Sequence, residues 1–179
     1  MDRLRNALEI ICRLANDYLE NMDHRHEPWV TLISMVDHTG GINERIRNKI
    51  VMAVHNITQE TIISSYQRAQ GDPAAAVVSP PLYLDVHLVF TAYFTDVHYA
   101  EGLAQLSRLI GFFQSNPWFS RDRVPDLDPS FDKLSLAFES LSPAELRDVM
   151  GMLGTKYLPS VFYKLRMIPY NGSTRLAGT

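Results

Sequence analysis

Cysteine is almost absent from this chain: Cys12 is the single thiol among 179 residues. One thiol forms neither an internal disulfide nor a cysteine-based metal site. Long apolar runs are missing too. No stretch nears the ~18 uninterrupted apolar residues of a membrane span. The opening Met1-Asp2-Arg3-Leu4-Arg5-Asn6 leads into a pattern broken by Glu9, Arg13, Asn16 and Asp17, unlike the apolar centre of a signal peptide. Charge of one sign is scarce: 17 Lys and Arg stand against 20 Asp and Glu, a net of -3. No basic field therefore directs the chain to nucleic acid or an anionic membrane. The expectation is a soluble protein kept in the cytoplasm, in which the sequons Asn56-Ile57-Thr58 and Asn171-Gly172-Ser173 are chance matches.

What is present is enough for one domain with a real core, 46% hydrophobic and 21% charged. The most informative stretch is 82–95. Leu82, Leu84, Val86, Leu88, Phe90, Ala92 and Phe94 alternate with Tyr83, Asp85, His87, Val89, Thr91, Tyr93 and Thr95. A period of two predicts a β-strand with one face on a core. At about 3.3 Å per residue it would run roughly 40 Å, twice the usual length. Such a strand either bends strongly or projects beyond its own core, leaving its polar-aromatic face and its edge for a neighbour. An assembly subunit is expected before an enzyme.

Around it, residues 2–22 read as an amphipathic helix on Leu4, Leu8, Ile11, Ala15 and Leu19. Strands follow at 29–36 and 49–57, with a loop at 37–48 between them and a strand continuation or hook at 61–65. Residues 67–81, with Gly71-Asp72-Pro73 and Pro80-Pro81, have the composition of a mobile connector. A helix over 97–114 buries Leu103, Leu106, Ile110 and Phe113 and stops at Asn116-Pro117. Residues 131–139 alternate, with Leu134, Leu136 and Phe138 inward. Ser142-Pro143-Ala144-Glu145 is a helix start with the capping-box spacing. The last strand is 160–168. The order predicts an α+β fold: a mixed, largely antiparallel sheet of about five strands with helices mainly on one face. It forms a single domain over 1–170, and 171–179 is a flexible C-terminal tail.

Candidate chemistry is thin. Gly40-Gly41 lacks both phosphate-loop spacings and reads as a turn. His24-Arg25-His26-Glu27 has no further ligand pair and reads as a solvated turn, and His38, His55 and His98 receive no role. Asp85 and His87 share one strand face, the geometry of an acid-base dyad. No third triad member or Gly-x-Ser-x-Gly elbow accompanies them, so a structural pair or a contact with Lys164 or Arg166 is the readier account. Lys164 and Arg166 should point away from the core of the last strand. Arg45 and Arg47 lie near a loop tip, and Trp118 follows a helix stop where it could anchor an interface. No catalytic, cofactor or metal residues are assigned. Arg45, Arg47, Tyr83, Asp85, His87, Trp118, Lys164 and Arg166 are the candidate subunit or tube interface.

Pro80-Pro81-Leu82-Tyr83-Leu84-Asp85-Val86-His87-Leu88, followed by Thr91-Ala92-Tyr93, resembles a motif of the cap, or tail-terminator, proteins of contractile injection systems. These are phage-tail-like particles such as the antifeeding prophage and the Photorhabdus virulence cassettes. The likeness continues through Ala100-Glu101-Gly102-Leu103, Asn116-Pro117, Leu134-Ser135-Leu136, Ser142-Pro143-Ala144-Glu145-Leu146 and Tyr157-Leu158-Pro159-Ser160-Val161-Phe162-Tyr163. It implies a six-fold ring that caps the inner tube and stops its growth, partnered by itself, the tube protein and possibly sheath protein. No catalytic residues or cofactors come with it. The chain ends soon after the shared region, where several cap proteins carry a further domain. Two rivals stand beside this reading: a small hydrolase-like enzyme with an Asp85/His87 site, and an adaptor or baseplate component of a type VI-like secretion machine.

Overall fold

The computed structural model describes residues 2–60 and 82–170. The long alternating stretch is a twelve-residue strand, β3 (Leu82–Tyr93), and it is the spine of a six-stranded sheet. The others are β1 (Val30–Leu32), β2 (Lys49–Gln59), β4 (Trp118–Ser120), β5 (Lys133–Glu139) and β6 (Ser160–Tyr170), in the order β1-β2-β3-β6-β5-β4. β1 runs parallel to β2 and every other pairing is antiparallel. The helices among the described residues are α1 (Arg3–Met22), α2 (Tyr99–Ser115) and α3 (Pro143–Met152). The fold is α+β, as the element pattern predicts.

One face of the sheet carries the main core. Ile50, Met52, Val86, Leu88, Phe90, Tyr163 and Leu165 meet Leu8, Ile11, Ala15 and Leu19 of α1 and Leu106, Leu109 and Phe113 of α2. Phe90, Phe113 and Tyr163 form its aromatic centre, with ring centroids 5.0–5.9 Å apart. The other face is partly covered by α3: Val149 and Met150 seat on Ala53, Val89 and Phe162. The capping box at Ser142 and Glu145 starts that helix. α1 also fixes the first strand, because Asn16 accepts from the Val30 amide and donates to the Val30 carbonyl, both at 2.7 Å. Arg13 reaches Asp126 through two bonds, 2.6 and 2.9 Å, tying α1 to the loop after β4.

Several expectations change. β3 is not a projecting strand with a free edge: β6 pairs with it over Leu82–Thr91 and β2 over Leu84–Tyr93. The strand expected over 29–36 shortens to three residues, and Trp118–Ser120, where no strand is expected, pairs with β5, so the sheet has six strands among the described residues rather than about five. β6 runs past Ile168 despite Pro169. Beyond Arg166 β5 no longer pairs with it, so the missing proline N–H costs no ladder bond on that side. The apolar stripe of α2 is rotated from the expected one. Gly102, Gln105, Leu106, Leu109 and Phe113 are buried, whereas Leu103 and Ile110 are exposed. Phe138 lies on the core face but is 55% exposed. The expected hook at 61–65, the connector at 67–81 and the tail at 171–179 lie outside the described residues.

Two irregularities bend the spine's neighbours, one opposite Leu88 and His87 and the other between Val86 and Leu84. On β2, His55 is an extra residue between the pairs Val54–Leu88 and Asn56–His87. On β6, the register slips between Leu165, opposite Val86, and Ile168, opposite Leu84. Each bulge reverses the alternation of its strand. Val54 therefore faces the main core, while Asn56 and Thr58 join Asp85 and His87 on the second face.

Candidate functional site

The second face of the sheet divides at His87. On one side α3 covers it. On the other, four strands converge a row of polar side chains. His87 on β3 stands opposite Lys164 on β6 and Asn56 on β2, and Lys164 stands opposite Ala137 on β5. His87 Nδ1 lies 2.9 Å from Glu139 Oε2, and His87 Nε2 lies 2.9 Å from Thr58 Oγ1. A carboxylate only accepts, so Nδ1–H donates to Glu139. In the neutral ring Nε2 then accepts from the Thr58 hydroxyl. The other oxygen of Glu139 meets Lys164 Nζ at 3.5 Å, and Arg166 Nη2 meets Glu60 Oε2 at 3.5 Å. Asp85 is only 5% exposed.

The sequence reading places Tyr83, Asp85, His87, Lys164 and Arg166 on one face, and the fold brings them together across β3 and β6. The acid partner of His87, however, is Glu139 and not Asp85. The reason is that the bonded side chains reach sideways across the ladder, whereas residues two apart on one strand are separated along it. Both nitrogens of the His87 ring are engaged within the sheet. Neither His87 nor Asp85 lines the adjoining cavity of about 490 Å³, which Glu139, Glu145, Lys164, Arg166, Phe138 and Leu141 border. His87 is thus held by Glu139 and Thr58 within the sheet rather than by Asp85. Among the described residues no cluster of three or more His, Cys, Asp or Glu could hold a metal ion.

His55, assigned no role from sequence, belongs to this seam. The bulge sets its ring 5.8 Å from His87 and edge-on to Phe162 at 5.6 Å. Its Nε2 is buried and has no hydrogen-bond partner among the described residues. Burial first, and the neighbouring His87 second, hold its pKa below the ordinary imidazole value. Glu139, Thr58 and Glu60 also went unsingled-out. Glu139 ends an alternating strand, and only the β5–β6 register brings it to His87.

The remaining candidates lie apart from the seam. Arg45 sits within a single turn of 3-10 helix (Glu44–Ile46) and Arg47 follows it, and both line a separate cavity. Trp118 begins β4, the last strand of the sheet, and is 43% exposed with the Arg123 guanidinium 5.5 Å from its ring. Cys12 is part-buried on α1, and burial raises its thiol pKa to about 11, so it stays protonated near neutrality.

The seam and groove form a charged, hydrogen-bonding surface held by a rigid sheet, and its side chains bond one another. The chain matches the Pvc16 N-terminal domain over residues 9–178, nearly its whole length. It belongs to that family. The family is a structural component of a contractile injection system of the Photorhabdus virulence cassette type. Its members are built into a phage-tail-like particle alongside the other proteins of that system. No curated protein matches the Pvc16-type chain described here. No helix among its described residues is long and apolar enough to cross a membrane.

Proposed function

We propose that this Pvc16-type chain is a tail-terminator subunit, six copies of which close into a ring that caps the inner tube and can meet the last sheath layer. Family membership over 9–178 is the observation that carries the reading. The fold adds physical support. A closed ring repeats one heterologous contact and so needs two different surfaces on opposite sides of the subunit. The two ends of this sheet differ. One ends in the short β4 with exposed Trp118. At the other, β1 covers β2 only as far as Met52, and no described strand pairs with the outer edge of β2 beyond it, where Ile57 is exposed. Edges left unpaired among the described residues, with exposed apolar side chains beside them, suit copy-to-copy joining. In this arrangement the seam of Tyr83, Asp85, His87, Lys164 and Arg166, with its groove, is left to face the tube.

The test is electron microscopy of particles produced with and without the protein. Tubes of uncontrolled length should appear in its absence, and Trp118→Ala should reproduce part of that defect while the purified variant stays folded. Tubes of unchanged length without the protein, together with no binding of the protein to tube ends, would refute capping.

A further inference from the structure

A cavity of about 810 Å³ opens between the 24–29 turn, β1 and the start of β2. Four permanent cations line it, Arg25, Arg45, Arg47 and Lys49, against two carboxylates, Glu27 and Glu44. Both carboxylates are already used: Glu27 pairs with Lys49 at 3.2 Å and Glu44 with Arg47 at 2.8 Å. Four cations less two carboxylates leaves a local charge of +2, on a chain whose net charge is -3.

The surplus resides on Arg25 and Arg45. Arg25 is a built feature. Its guanidinium donates to the carbonyls of Glu27, Asn48 and Pro28 at 2.8–2.9 Å and lies 4.0 Å over the Trp29 ring. Trp29 is itself buried, its indole N–H donating to the Asp23 carbonyl. A guanidinium has five N–H groups; three go to carbonyls here, and the nearby Glu27, Glu101 and Asp23 act on it from beyond direct ion-pairing distance while pairing with Lys49, His98 and Arg108. Burial outweighs the pull of those carboxylates and lowers its pKa. Arg45 is exposed and shows no partner among the described residues.

The geometry points to a docking site for an acidic polypeptide segment of another protein, whose carboxylates pair with Arg25 and Arg45. The volume far exceeds a single small anion, and Thr31 and Ile33 add a partly apolar lining for side chains. The net negative chain disfavours a nucleic acid. The site does not depend on the capping reading, because an isolated copy already contains all of it.

Titration calorimetry on the full chain tests this with a short Asp/Glu-rich peptide, its Asn/Gln counterpart and inorganic phosphate. The acidic peptide should bind and weaken with added salt. Arg45→Gln, at an exposed position, should weaken it roughly tenfold, and Glu44→Gln, which frees Arg47, should tighten it. Equal binding of the Asn/Gln peptide, full displacement by phosphate at matching concentration, or no effect of Arg45→Gln would each overturn the proposal. So would a salt-sensitive self-association that Arg45→Gln abolishes, since the cavity would then join copies of this chain.

Discussion

The same substitution at two glycines of α2 should change stability in opposite directions. In an exposed helix interior, alanine is favoured over glycine by about 1 kcal/mol. At Gly111 an added Cβ meets nothing within 4 Å, so Gly111→Ala should realise that gain. At Gly102 the same atom would sit 2.7 Å from Phe94 Cδ2, 2.8 Å from Cγ and 3.3 Å from Cβ. Carbon atoms in contact prefer about 3.5–4.0 Å, so the overlap is roughly 1 Å. Rotating the Phe94 ring does not clear it, because two of the three clashing atoms lie at the root of the side chain. Phe94 is itself packed against the main core. Overpacking of this kind costs about 1–3 kcal/mol, which offsets the helical gain and leaves Gly102→Ala net destabilised by up to about 2 kcal/mol. Urea denaturation monitored by circular dichroism measures the pair. The midpoint for Gly111→Ala should rise and that for Gly102→Ala should fall, at a common slope. If both variants gain stability equally, Phe94 does not close on Gly102 and the packing of α2 described above is wrong.

His55 gives a pH prediction. Its folded-state pKa lies below the ordinary value, through burial first and His87 second, so the unfolded chain binds the proton more readily. Its contribution is fully present above the unfolded pKa of about 6.5 and is lost as pH falls below it. The depressed carboxylates Asp37, Asp126, Asp128 and Glu145 act only in a lower window, below about pH 4. A denaturation midpoint that falls between pH 7 and 5, and flattens in His55→Phe, is expected; an unchanged slope in that variant would remove His55 from the account. Ser142→Ala breaks the capping box of α3 and should cost about 1 kcal/mol of stability in the same assay.

The elements with strong periodicity were legible in the chain itself. α1, β3 and α3 lie within a residue or two of where spacing and capping chemistry place them. What failed had physical causes. β4 is three residues long behind a proline, too short to alternate. The polar face of β3 looked open because Asp85, His87 and Thr91 are polar. Yet Val89 shares that face, and it marks where α3 lands. The stripe of α2 was misjudged because Gly102 and Gln105, not apolar by type, are buried against Phe94 and beside Asp23. The candidate site was half visible. Residues on one strand could be grouped by alternation, but Glu139 and His55 enter only through cross-strand register and a bulge, neither of which a linear pattern records.

The extra residue at His55 makes the identity of the two faces a matter of odd and even counting. Removing it would place Asn56 directly after Val54 and restore unbroken alternation to β2, with Asn56 still opposite His87, Ile57 opposite Val86 and Thr58 opposite Asp85; what would be lost is the imidazole set between His87 and Phe162. A one-codon deletion at His55 should therefore be better tolerated than a one-codon insertion after Asn56, which would turn Ile57 toward the second face and Thr58 toward Val86.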